Sequence, residues 1–214
     1  MKKAIVFDFD GTLMNTNNLI VNSWQHTFKK ILGHEMDLET IYGTFGETLD
    51  YSISRLFPDL DLEYVKDIYH SYQYEVADEY LELFDGMDEL VQKLYKDGYE
   101  IGILTSRNRK SLCMYLENFQ LDQYIKYNVT FDDTDIHKPD PRPMYMLLDK
   151  MGAKAEDAVM IGDSKYDIGC GNNAGASTIL VEWSVANMDE EDEVYKADFI
   201  AKSADEIYEI IKSL

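Results

Sequence analysis

Two carboxylates stand two residues apart in the run Asp8-Phe9-Asp10-Gly11-Thr12. On an extended chain such residues point to one side. The pair repels itself unless a divalent cation sits between it and an incoming anion. A hard cation such as Mg²⁺ takes oxygen ligands and retains some waters. With it in place, an ionised Asp8 can approach an anionic phosphoryl group. Asp10 can then give a proton to the leaving oxygen and later activate water. Further along the chain stand Thr105-Ser106, Lys138-Pro139, Gly162-Asp163 and, one helical turn on, Asp167. The Thr105 hydroxyl and backbone N–H groups can bind phosphoryl oxygens, and Lys138 can neutralise charge spreading over a transferring group.

These residues act together only if strand ends deliver them to one edge. Short apolar runs at 3–8, 100–105, 127–131, 158–162 and 177–182 predict strands. Amphipathic stripes between them predict helices: Met87, Leu90, Val91, Leu94 and Tyr95, closed by Gly98; then Met144, Leu147, Leu148 and Met151, closed by Gly152. A last helix carries Ile207, Ile210, Ile211 and Leu214, opened by a Ser203-x-x-Glu206 capping box. Near-continuous apolar strands alternating with helices predict an α/β fold, a parallel sheet covered on both faces. In such a sheet ligands bind beyond the carboxyl ends of the strands, where all the residues named above fall. Residues 15–82 break the alternation. Ile20, Trp24, Phe28 and Ile31 mark one helix, and further helices are expected around 49–57 and 63–80, with a break at Pro58-Asp59. This stretch reads as a helical insertion, which divides the chain into 1–14 and 83–214 on one side and 15–82 on the other.

The chain has 214 residues, 45% of them hydrophobic, with 20 basic against 41 acidic residues and a net charge of −21. Such a field repels nucleic acid and anionic lipid. It repels phosphorylated molecules too, so a phosphate site needs local cations. Arg107-Asn108-Arg109-Lys110 is the densest basic cluster and is expected at the opening of the helix after Thr105, with Ser106 capping it. The cysteines, Cys113 and Cys170, show no metal-ligand spacing and read as reduced thiols of a cytoplasmic protein. The apolar run before Asp8 is too short to cross a membrane. The acidic run Asp189–Glu193 reads as a solvated loop. The glycines between Gly169 and Gly175 lack the spacing of a dinucleotide-binding turn.

The ordered motifs resemble the haloacid dehalogenase-like hydrolase superfamily, in its phosphoglycolate phosphatase-like branch. D-x-D-G-T is Asp8 to Thr12, the second-motif hydroxyl is Thr105, the third-motif lysine is Lys138, and G-D-x-x-x-D is Gly162 to Asp167. The resemblance implies a Rossmann-like sheet with a small all-helical cap inserted after the first strand. It implies Asp8 as nucleophile and metal ligand, and Asp10 as general acid/base that lends its backbone carbonyl to the metal. Asp163 completes the ligands, and Asp167 holds Lys138 or a metal-bound water. Gly11, Thr105, Ser106 and Lys138 would bind the substrate phosphate, while Gly46 and Arg107 would meet the leaving group. The implied partner is a small phosphorylated metabolite, handled by a monomer or weak homodimer.

Within that branch, Asn15–Ile20 and the stretch from Tyr69 to Gly86 are similar to bacterial cap-bearing pyrophosphatases. The histidine-containing segment that those enzymes carry late in the cap reads here Gln73-Tyr-Glu-Val-Ala-Asp78, which favours a phosphate monoester over pyrophosphate. Related mutases carry a cap histidine where this chain has Ile20, and dehalogenases replace the residue matching Asp10. A phosphoaspartate receiver module uses similar groups, but it is shorter and lacks both the second carboxylate and the insertion.

Overall fold

The computed structural model describes residues 3–185 and 195–214, so the Asp189–Glu193 run lies outside the described residues. Its sheet is built from β1 (Ala4–Phe7), β4 (Glu100–Leu104), β5 (Tyr127–Val129), β6 (Ala158–Gly162), β7 (Ser177–Val181) and β8 (Phe199–Ala201). All six strands run parallel in the order β5-β4-β1-β6-β7-β8. The short edge strand β8 is an element that the apolar runs did not predict.

Alternation along β1 explains the layering. Ile5 and Phe7 face one side, where they join Ile103, Val159 and Ile161 under α5 (Met87–Lys96), α6 (Arg109–Asn118) and α9 (Ala204–Ser213). Ala4 and Val6 face the other side, with Met160 under α7 (Arg142–Met151) and α8 (Lys165–Ala174). Both faces are dry at the centre of the sheet, and β1 and β6 are accordingly apolar throughout. Because β1 lies between β4 and β6, the chain leaves it to build the sheet in two directions. The crevice at such a switch point opens above the carboxyl end of β1, where Asp8 follows Phe7.

Between β1 and β4 lie α1 (Asn17–Leu32), α2 (Leu38–Tyr42), α3 (Leu49–Leu56) and α4 (Leu62–Tyr80). They share a separate apolar cluster of Trp24, Phe28, Ile41, Ile53, Phe57, Val65 and Tyr69. Asp37, Thr48 and Asp61 cap α2, α3 and α4 by accepting N–H bonds from Thr40, Tyr51 and Tyr64. The two chain crossings into this region pair as a short antiparallel ribbon, β2 (Met14–Asn15) with β3 (Glu82–Leu83). This ribbon and α2 were also absent from the expectations. The helix after Thr105 differs from expectation as well. Ser106 does not cap it; Asn108 does, accepting from the Ser111 N–H at 2.9 Å. Arg107 therefore stands before the helix, in a turn where the Thr105 hydroxyl accepts the Arg107 N–H at 3.1 Å.

Candidate active site

Asp8 is fixed where β1 ends: its N–H donates to the Ile161 carbonyl at 2.8 Å, one last rung shared with β6. Lys138 reaches across from the loop before α7. Its Nζ donates to Asp8 Oδ1 at 2.7 Å, to Asp167 Oδ1 at 2.5 Å and to the Leu104 carbonyl at 3.2 Å. Asp167 is held in turn from α8, where it forms a capping box with Ser164 and accepts from its hydroxyl at 2.5 Å. Asp163 accepts a hydrogen bond from the Ser184 hydroxyl. Gly11 adopts φ +78°, and a Cβ there would lie 2.0 Å from Asp163 Oδ2. Only glycine lets the turn pass so close beneath that carboxylate.

Carboxylate oxygens of Asp8, Asp163 and Asp167 lie within 4.8 Å of one another, and all three residues are buried. At an effective dielectric near 20, each such pair repels by at least about 3 kcal/mol. Burial, opposed by Lys138 and assisted by Asp167 and Asp10, pushes the Asp8 carboxyl up to about 7. Burial and the neighbouring Asp167 and Asp8 raise Asp163 well above the usual carboxylate range. For Lys138, burial alone would favour the neutral amine, but Asp167 and Asp8 outweigh it and hold the ammonium. One lysine among three buried carboxylates leaves an excess of negative charge. A hard divalent cation fits this donor set, which is all oxygen.

Asp10 sits differently. Arg107 presents its guanidinium fork to both carboxylate oxygens, with Nε to Oδ2 at 2.9 Å and Nη2 on Oδ1. The guanidinium is buried beside Tyr115 and Phe9, 5.1 and 5.8 Å from their ring centres. Its Nη1 also donates to Gln73 Oε1 of α4 at 3.4 Å. Arg107, expected at the leaving group, forks onto Asp10 and also lines the cavity. The rest of the basic cluster turns elsewhere: Arg109 binds Asp133 and Asn128, and Lys110 lies over the Tyr74 ring.

A cavity of about 280 Å³ opens between these groups and the helical insertion. Asp8, Asp10, Thr105, Ser106, Lys138 and Asp167 line one end. Lys66, His70 and Gln73, spaced along one side of α4, line the other, with Trp24, Phe45 and Gly46. The loop at Gly46 rests against the motif carrying Asp167, since a Cβ there would meet the Tyr166 ring at 2.8 Å and Ser164 at 3.1 Å. The Lys66-His70-Gln73 stripe was readable as polar positions on a helix, but nothing local marked which face would meet the site. Ser184, 21 residues beyond Asp163, carried no sequence signal at all.

The haloacid dehalogenase-like hydrolase model matches residues 5–181, which include every motif described above. The chain belongs to this family. A pyrophosphatase PpaX from Bacillus mycoides is 33% identical over 211 residues, covering 99% of this chain and 97% of that protein. A PpaX of the same name from Bacillus cereus matches over the same spans at 33%. Among solved structures, a haloacid dehalogenase-like hydrolase from Bacteroides fragilis superposes with a TM-score of 0.85 at 26% identity, over 97% of this chain and all of that one. A predicted phosphoglycolate phosphatase from Haemophilus somnus shares the fold, with a TM-score of 0.85 at 22% identity, over 98% of this chain and 97% of that one. The family's hydrolase chemistry is thus carried by a chain with all its ordered motif residues. Among the described residues, no helix is long and apolar enough to cross a membrane.

Proposed function

We propose that this hydrolase is a Mg²⁺-dependent phosphatase that cleaves a small phosphate monoester through a phosphoaspartyl intermediate on Asp8. The observation that carries the reading is the clamp of Lys138 between Asp8 and Asp167, at the floor of the cavity beneath the helical insertion. Asp8, Asp163 and the Asp10 backbone carbonyl would hold the metal, which supplies charge neutralisation for the approach of two anions. Asp8 attacks phosphorus, and the ester oxygen departs with a proton from Asp10. The same carboxylate then takes a proton from the water that hydrolyses the acyl phosphate. Lys138, the Thr105 hydroxyl and N–H groups near Gly11 and Ser106 bind the equatorial oxygens.

Arg107 forks onto both oxygens of Asp10 and so fixes the carboxylate at the wall of the cavity that it lines. The proton steps then use one carboxyl oxygen while Arg107 keeps the other. Residues 15–82 act as a cap over a core of 1–14 and 83–214. Lodging the cavity between them lets closure exclude bulk water. Two free cysteines agree with a cytoplasmic setting.

Replacement Asp8→Asn tests the mechanism: Mg²⁺-dependent phosphate release from an aryl phosphate should vanish, and retained turnover would exclude Asp8 as nucleophile. A second reading, hydrolysis of inorganic pyrophosphate, is favoured by the two PpaX relatives at 33% identity. The same chemistry would then expel phosphate instead of an alcohol.

A further inference from the structure

We infer that the cavity takes an uncharged organic leaving group with an apolar face, so that the substrate is the phosphate monoester of such an alcohol, and neither pyrophosphate nor the ester of a hydroxy acid. The inference rests on the phosphatase reading above and concerns what the cap end of that site can accept.

The cations of the cavity wall decide the matter. Lys138 holds Asp8 and Asp167. Arg107 holds Asp10 through its fork. Lys66, at the cap end, holds Asp50 at 3.0 Å and Glu63 at 3.3 Å. Among the described residues, Lys138 serves the transferring phosphoryl group at the floor, and the other wall cations, Arg107 and Lys66, are already paired with carboxylates. Two further acids line the same wall. Glu47 is answered from outside by Arg55 at 2.9 Å, while Asp132 accepts a backbone N–H, from Arg109 at 2.6 Å. A second phosphate, or a carboxylate on the leaving group, would enter with no cation free to receive it. It would also be brought close to Asp50 on the cavity wall, where partial burial makes like charges repel more than in water.

What the wall does offer suits an uncharged group. Ile20, Trp24, Phe45, Leu49 and Phe131 supply apolar and aromatic surface. His70 lines the cavity, and among the described residues its buried Nδ1 has no hydrogen-bond partner. Burial and the nearby Arg107 and Lys66 hold the ring towards its neutral form. A neutral imidazole can give or take one hydrogen bond, which matches a hydroxyl or carbonyl on the leaving group.

The test measures kcat/KM of the full chain with Mg²⁺ on size-matched esters: isobutyl phosphate against phosphoglycolate, 4-carbamoylbenzyl phosphate against 4-carboxybenzyl phosphate, with pyrophosphate alongside. The expected result is a preference of at least about tenfold for the uncharged member of each pair and over pyrophosphate. Equal rates, or a preference for any charged leaving group, would overturn the inference while leaving the phosphatase reading intact. No phosphate released from any ester would overturn that reading and this one with it. As a second arm, Asp50→Asn releases Lys66 from one partner. If it folds, as judged by its melting curve, it should narrow the preference against the carboxylate-bearing esters several-fold. A folded variant with an unchanged preference would show that the committed lysine is not what excludes them. The wild-type comparison stands whether or not the variant folds.

Discussion

Replacing Arg107 by methionine separates two roles for this side chain. The structure has it forking onto both oxygens of Asp10, with its side chain only 6% exposed and that of Asp10 23% exposed. Methionine keeps much of the volume between Phe9 and Tyr115 but leaves a largely buried carboxylate without its partner. Breaking a buried pair from one side costs about 3–5 kcal/mol, and the partial exposure of Asp10 places this case near the lower value. For a chain of this length, about 3 kcal/mol lowers the melting temperature by roughly 6–12 °C. Asp10→Asn should cost a similar amount, because it strands the guanidinium. The double replacement should cost about the same as either alone, a coupling of about 3 kcal/mol that urea melts of the four proteins would reveal. Additive losses would refute the pairing. Kinetics then discriminate between roles. If Arg107 positions Asp10, Arg107→Met lowers kcat by about 100-fold with KM nearly unchanged. Arg107→Lys should recover part of the stability, since it restores charge without the fork, and little of kcat. A raised KM at unchanged kcat would instead assign Arg107 to the leaving group, as the sequence alone suggested, and would refute the positioning argument.

Other outcomes follow from single contacts. Lys138→Met removes the cation shared by Asp8 and Asp167 and should destabilise the metal-free protein by about 3–5 kcal/mol, read by urea titration; a neutral result would show the carboxylates to be protonated there. Asp163→Asn should weaken the Mg²⁺-induced rise in melting temperature, shifting the half-maximal concentration upward by at least about tenfold, with no dependence on turnover; an unshifted curve would remove Asp163 from the metal site. Gly46→Ala places a Cβ 2.8 Å from the Tyr166 ring in a backbone of φ +79°, so it should cost more than about 1 kcal/mol or displace the loop, and KM should rise; wild-type stability and KM together would show that the loop does not seat against Tyr166.

The fold was legible where hydrophobic period and length agreed. The strand runs before Asp8 and up to Gly162 are buried on both faces and apolar throughout, and the run before Thr105 is so beyond Glu100. Motif order then placed Lys138 and Asp163 beside Asp8 without any contact information. Elements that draw stability from neighbours left no such trace. Strand β8 contributes three residues at an edge, with Ile200 half exposed, and its pattern is no stronger than that of a loop. The ribbon of β2 and β3 is fixed by where α1 and α4 begin and end, and its own sequence says little. The Ser106 cap failed because the Thr105 hydroxyl bonds one residue further on, which delays the helix until Asn108 can cap it. That two-residue delay also turns Arg107 back onto Asp10, 97 residues earlier in the chain, a partnership set by tertiary geometry alone.

Low dielectric works in opposite directions at the two ends of the site. At the floor, three buried carboxylates share one ammonium, so each added negative charge is unfavourable until a cation arrives. A divalent cation bound there would therefore stabilise the fold: a ligand at 100 times its dissociation constant adds about 2.7 kcal/mol of stability. At Asp10 the charge count is already balanced by Arg107, and burial strengthens the fork. The two aspartates of one motif are therefore held in different electrostatic states by partners that neither could select from sequence neighbours. Asp8 is raised to about 7 by burial and its neighbouring carboxylates, so a cation bound there would favour its ionised form, whereas Asp10 has the Arg107 fork on both oxygens. The roles proposed for the two, nucleophile and proton carrier, call for different surroundings, and the fold provides them by directing Lys138 to the first and Arg107 to the second.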